Sequence, residues 1–93
     1  MSGTAKGTVL IENDRVIVTE WRFGPGESTG WHRHGHDYVV VPLEDGQLRI
    51  ADFSGETLVE MKKGTPYFRQ TGVEHDVINA NDHDYAFIEV ELK

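Results

Sequence analysis

Apolar and polar residues alternate along this chain in short runs, and no stretch keeps the three-to-four spacing of an amphipathic helix. Residues 15–23, RVIVTEWRF, are rich in β-branched and aromatic side chains and predict a half-buried strand that ends at Gly24-Pro25-Gly26. Residues 38–43 predict a second strand through Val39, Val40 and Val41; Asp45-Gly46 after it predicts a hairpin, and Pro42 inside it requires a bend or a bulge. Residues 47–53 and 56–61 form the next two runs, split by Ser54-Gly55. Lys62-Lys63-Gly64 then turns the chain toward 65–68. The last strands fall at 75–79 and 85–92, around a turn-rich stretch from Ala80 to Asp84 in which His83 is expected to face solvent. Repeated short strands between Gly, Asn and Asp predict an all-β sandwich or barrel over residues 1–93, built as a ladder of hairpins with N-terminal strands at about 8–23.

Size changes the picture. A single domain of 93 residues buries only about 60–65 per cent of the surface its unfolded chain exposes, and without a cysteine no disulfide can staple it. A bound metal or a partner subunit is the expected source of added stability. A homodimer is predicted, with the N-terminal strand as the candidate edge. Sixteen acidic against nine basic residues leave a net charge of -7, which disfavours a nucleic-acid partner. The segment MSGTAKGTVL has neither the basic nor the apolar region of a signal peptide, and no apolar run is long enough to cross a bilayer. A cytoplasmic protein without a membrane partner is the expectation.

The candidate chemistry lies in the histidines. Four of the five fall in GWHRHGH, residues 30–36, and GVEHDVIN, residues 72–79. His32 and His34 are two apart, so on a strand both imidazoles project to one face and can reach one ion. His75 is the natural third ligand, from a segment that opens on a glycine turn and runs into an apolar strand.

These segments also resemble the two sequence motifs of the cupin superfamily. His32, His34, Tyr38 and Gly46 follow the first. Gly64, Gly72, His75 and Asn79 fall at the spacing of the second, Gly-x5-Pro-x-Gly-x2-His-x3-Asn, with Gln70 in place of its proline. The resemblance implies a double-stranded β-helix, or jelly-roll barrel, with motif one over 30–46 and motif two over 64–79. The wording WHRHGHDYVVVPL, YFR, GVEHDVINAN and FIEVELK is similar, more narrowly, to small cupins associated with β-alanine degradation.

The chain departs from that pattern at Tyr38, where most metal-binding cupins carry Glu. A phenol must ionise to become a good ligand, so Tyr38 is expected beside the metal as a catalytic group, hydrogen-bonding oxygen or substrate. Asp37 faces the opposite way on a regular strand unless a bulge re-aims it. His36 has the right parity either to replace the missing Glu or to line the pocket mouth, which Trp31 also adjoins. Arg69, in a segment that resembles the lip of cupins, is either a substrate clamp or half of a surface ion pair. Asn79 matches the end of the second motif and is expected to satisfy backbone groups rather than a metal.

The expected protein thus binds a divalent metal through three histidines, with Fe or Zn favoured and Ni, Cu or Mn compatible with the same ligands. Its ligand is a small organic, amino or keto acid. The competing expectation is a non-catalytic sensor of metal or metabolite.

Overall fold

Nine strands form in a computed structural model that describes residues 4–93, and the first three residues of the N-terminal stretch read above for a leader lie outside it. They are β1 (Lys6–Glu12), β2 (Val16–Phe23), β3 (His32–Arg33), β4 (Asp37–Pro42), β5 (Gly46–Asp52), β6 (Gly55–Met61), β7 (Tyr67–Arg69), β8 (Glu74–Asn79) and β9 (Tyr85–Leu92). Two antiparallel sheets face each other as a jelly roll, one in the order β1-β2-β9-β4-β7 and the other β3-β8-β5-β6. No helix among the described residues is long and apolar enough to cross a membrane.

Alternation sets what lies between the sheets. Along β4, Tyr38, Val40 and Pro42 are buried while their neighbours are not, and β8 repeats the pattern with His75, Val77 and Asn79. Of these, Tyr38, Val40 and Val77 join Phe23, Leu48, Met61, Tyr85 and Phe87 in one core, with Phe23 and Phe87 in ring contact at 5.6 Å. Each large apolar side chain taken fully from water contributes roughly 1.5–3 kcal/mol. A core this small leaves little reserve.

The hairpin expected at Asp45-Gly46 is not one. β4 belongs to the five-stranded sheet and β5 to the other, so the chain turns a corner between sheets there. Long-range contacts overrode the local signal: Asp45 Oδ1 accepts the Lys63 N–H at 2.8 Å, and the Tyr85 hydroxyl donates to Glu44 O at 2.9 Å. Gly46 is needed for room, since a Cβ would sit 2.7 Å from the Tyr85 ring. The hairpin ladder therefore reduces to β1–β2 and β5–β6, while the other neighbours in space are distant in sequence. Pro42 makes no bulge either; it closes β4, and its carbonyl accepts from the Gly64 N–H at 2.9 Å. The bulge lies between Val9 and Ile11 in β1, which is indeed an edge strand.

Candidate metal centre

β3 is two residues long, yet its pairing with β8 sets His32 directly opposite His75. His34 follows just beyond β3, where its N–H donates to Val73 O at 2.9 Å and its carbonyl accepts from Gly72 N at 2.8 Å. These bonds fix three rings on one point. His32 Nε2 lies 2.9 Å from His34 Nε2, which lies 3.0 Å from His75 Nε2. His34 and His75 are buried, and His32 is half-buried.

Three imidazole nitrogens pointing at one another cannot all be satisfied at once by neutral rings, because each Nε2 is either a single donor or a single acceptor. For His32 the surroundings hold the proton elsewhere. His32 donates from Nδ1 to Gly30 O at 2.9 Å, leaving Nε2 with its lone pair free. Burial, followed by the charge of His32 and then His75, lowers the pKa of His34 to about 4. Burial and then His32 lower His75 to about 4 as well, against an opposing pull from Asp52 and Asp76. Near neutral pH His34 and His75 are uncharged, so the three rings can offer lone pairs that a cation fits. With metal–nitrogen bonds of about 2.1 Å, right angles at an ion separate ligand nitrogens by roughly 3.0 Å and tetrahedral angles by roughly 3.4 Å. The two separations of 2.9 and 3.0 Å, with all three nitrogens within 4.8 Å of one another, leave the rings close enough to share one ion.

Tyr38 is buried, and its ring stacks on His34 at 3.9 Å between centroids and 19° between planes. Desolvation, then Tyr67 and Glu89, raise its pKa well above the usual phenol range, so the hydroxyl keeps its proton. Asp37 turns away, as regular alternation requires, and accepts the Thr71 N–H at 2.8 Å. His36 pairs with Glu91 at 3.5 Å instead of joining the three rings. Trp31 is half exposed and meets Phe53 edge-on at 5.0 Å. Arg69 forms no ion pair among the described residues; its guanidinium lies 4.5 Å from the centre of the Tyr67 ring and donates to Phe68 O. His83 is exposed. Asn79 is buried and donates to the carbonyls of Phe23, Gly24 and His83, so its role is structural.

A cavity of about 310 Å³ opens beside the histidines, lined by Tyr38, Tyr67 and Arg69 from one sheet and by Ile50, Asp52, Thr57, Val59 and His75 from the other, with Val73 between. Sequence reasoning named only Tyr38 and His36 as acid–base candidates near the centre, and the structure adds two carboxylates. Glu89 and Glu91, on the inward face of β9, each bring an oxygen within 4.8 Å of a ring nitrogen of His34. Glu89 is buried, and desolvation, then Glu91, raise its pKa to about 7, while a hydrogen bond from Trp21 opposes them. The signal was present in FIEVELK, where acids alternate with apolar residues; the alternation reads equally as a strand with a wet face.

A small jelly roll with three convergent histidines, His75 among them lining a cavity between the sheets, is the architecture of a cupin. The chain belongs to the cupin domain family, which it matches over residues 19–91. It is 54% identical to the β-alanine degradation protein BauB of Pseudomonas aeruginosa, over the full length of both chains. A crystal structure of a cupin domain from Bordetella pertussis Tohama I, 48% identical, superposes with a TM-score of 0.98 over 100% of this chain and 97% of the other. A double-stranded β-helix protein from Klebsiella pneumoniae, at 20% identity, shares the fold with a TM-score of 0.80 over 99% of this chain and 79% of its own.

Proposed function

We propose that this cupin holds a divalent metal ion on His32, His34 and His75 and acts on a small organic, amino or keto acid, within β-alanine breakdown. The convergence of three Nε2 atoms at 2.9 and 3.0 Å carries the reading. The full-length similarity to a protein named for β-alanine degradation supports the metabolic setting. Three imidazoles suit Fe(II) or Zn and would leave open positions for ligands. Such an ion, when bound, supplies Lewis-acid polarisation and, as iron, oxygen activation.

The side chains around it divide the remaining work. Arg69, without a carboxylate partner among the described residues in a chain where acids outnumber bases, anchors the carboxylate of the ligand at the cavity mouth. Tyr38 donates a hydrogen bond from a phenol that burial keeps protonated. Glu89 takes or returns a proton near neutral pH, which supports a catalytic role over that of a passive sensor. Ile50, Val59 and Val73 give the cavity apolar walls that limit water.

The test is elemental analysis of wild type, His32→Ala, His75→Ala and His83→Ala, purified without chelator, with oxygen uptake on small amino and keto acids. Wild type and His83→Ala should carry metal, and the other two should lose it, because two imidazoles are too few to hold it. Full occupancy in His75→Ala would sink the site as drawn.

A further inference from the structure

Of the side chains that line the cavity beside the histidines, two carry a full charge near neutral pH, Asp52 and Arg69. They come from opposite walls. Leu48, Ile50 and Asp52 alternate along β5 onto one face, so the run that fills the core ends in a carboxylate at the cavity mouth. Arg69 lies directly opposite Tyr38 in the β4–β7 pair, and so projects into the cavity from the other sheet. Both charges are felt at His75, which Asp52 draws toward protonation and Arg69 away from it. Neither has an ionic partner among the described residues, and the two do not pair with one another. Asp52 Oδ1 accepts the Ser54 N–H at 2.8 Å, which shapes the turn between β5 and β6 and leaves Oδ2 uncommitted.

We infer that the cavity takes a short ω-amino acid as its zwitterion, with the ammonium group on Asp52 and the carboxylate on Arg69. This assignment rests on the function proposed above and narrows its ligand from organic, amino and keto acids to one class. Facing sheets pack about 10 Å apart, so a ligand that engages both walls needs its charges at opposite ends of a short chain. An α-amino acid carries both on one carbon and serves one wall poorly. Between the two charges the walls are apolar, with Ile50, Val59 and Val73 suited to methylene groups. At about 310 Å³ the cavity stands at the small end of ligand sites, which excludes long chains. A keto acid would satisfy Arg69 but set a carbonyl oxygen against Asp52, leaving that carboxylate without a donor. The nitrogen is therefore still in place when the ligand binds. That puts this protein at or before the loss of the amine in the breakdown of such a compound.

Asp52→Asn is the decisive variant, because an Asn Oδ1 still accepts the Ser54 N–H while the charge is gone. Equilibrium dialysis of the protein as purified against β-alanine, L-alanine and propionate reads the selectivity, with metal content measured on the same samples. Wild type should hold β-alanine at least tenfold more tightly than L-alanine, its isomer with both groups on one carbon, and than propionate, which lacks the amine. Asp52→Asn should bind β-alanine tenfold or more weakly while holding propionate no less tightly than wild type. Arg69→Gln should weaken both. Equal wild-type affinity for β-alanine and either of the other two overturns the inference, as does no binding of β-alanine at millimolar concentration or an unchanged affinity in Asp52→Asn. Neither residue is among the three histidines, so the two readings fail separately. A wild type without metal that still prefers β-alanine refutes the metal centre alone, and a metal-loaded one without that preference refutes the zwitterion alone.

Discussion

Glu89 is an acid held where water scarcely reaches it, and its energetics can be read from stability without knowing the reaction. Its pKa rises from 4.5 to about 7, so between those values the folded protein binds a proton that the unfolded chain has lost, and stability falls as pH rises through that window. Glu89→Gln removes the penalty. In metal-free protein the variant should gain on the order of 2 kcal/mol at pH 8 and little at pH 4, measured by urea unfolding. His34 and His75 act with the opposite sign. Their values fall from 6.5 to about 4, so the unfolded chain takes the protons first and metal-free stability declines as pH drops from 6.5 toward 4. His75→Asn should flatten that decline, and an unchanged slope would contradict the burial described. Tyr38→Phe preserves the stack on His34 and should keep metal content and most stability while weakening ligand binding or turnover about ten- to a hundredfold, the worth of one hydrogen bond to a charged partner. An Fe(III) form of the wild type should show no tyrosinate charge-transfer band.

Strands were legible because alternation is a local property; their partners were not. Residues 85–92 and 56–61 read correctly as strands from pattern alone, and Ser54-Gly55 read correctly as the β5–β6 hairpin. Asp45-Gly46 offered the same kind of local signal and misled, because Tyr85 and Lys63, far away in sequence, decide what that corner does. The histidines were readable for a simple reason: i, i+2 parity aligns His32 with His34, and family spacing supplied His75. Glu89 needed the fold, since only the pairing of β9 with both β2 and β4 brings its strand under the site. Asn79 shows how firmly one corner is tied: the two N–H groups of its buried amide reach three carbonyls at 2.9–3.2 Å, at the end of β2, just after it and before β9, with one proton shared. Asn79→Ala strands those acceptors and should cost about 2–4 kcal/mol in chemical denaturation. A loss below 0.5 kcal/mol would mean that water replaces the amide.

For the molecule as a whole, consecutive apolar runs such as Val16-Ile17-Val18 and Val39-Val40-Val41 put apolar side chains on both faces of the five-stranded sheet. Chelation should lower the melting temperature of the wild type and leave His75→Ala unmoved, since a ligand that binds only the folded state stabilises it by mass action. The shortness of β3 then governs how fast an ion is exchanged. Its two residues are joined to the sheet through β8 alone, while His75 sits in a strand secured on both sides. Segments with so few anchors open far more often than the domain unfolds. Entry and escape of the ion should therefore follow the fraying of residues 29–34, with His32 and His34 swinging away together from a stationary His75. Amide exchange at His34 and metal off-rates should then rise in parallel when Thr29→Ala loosens that segment, at constant global stability.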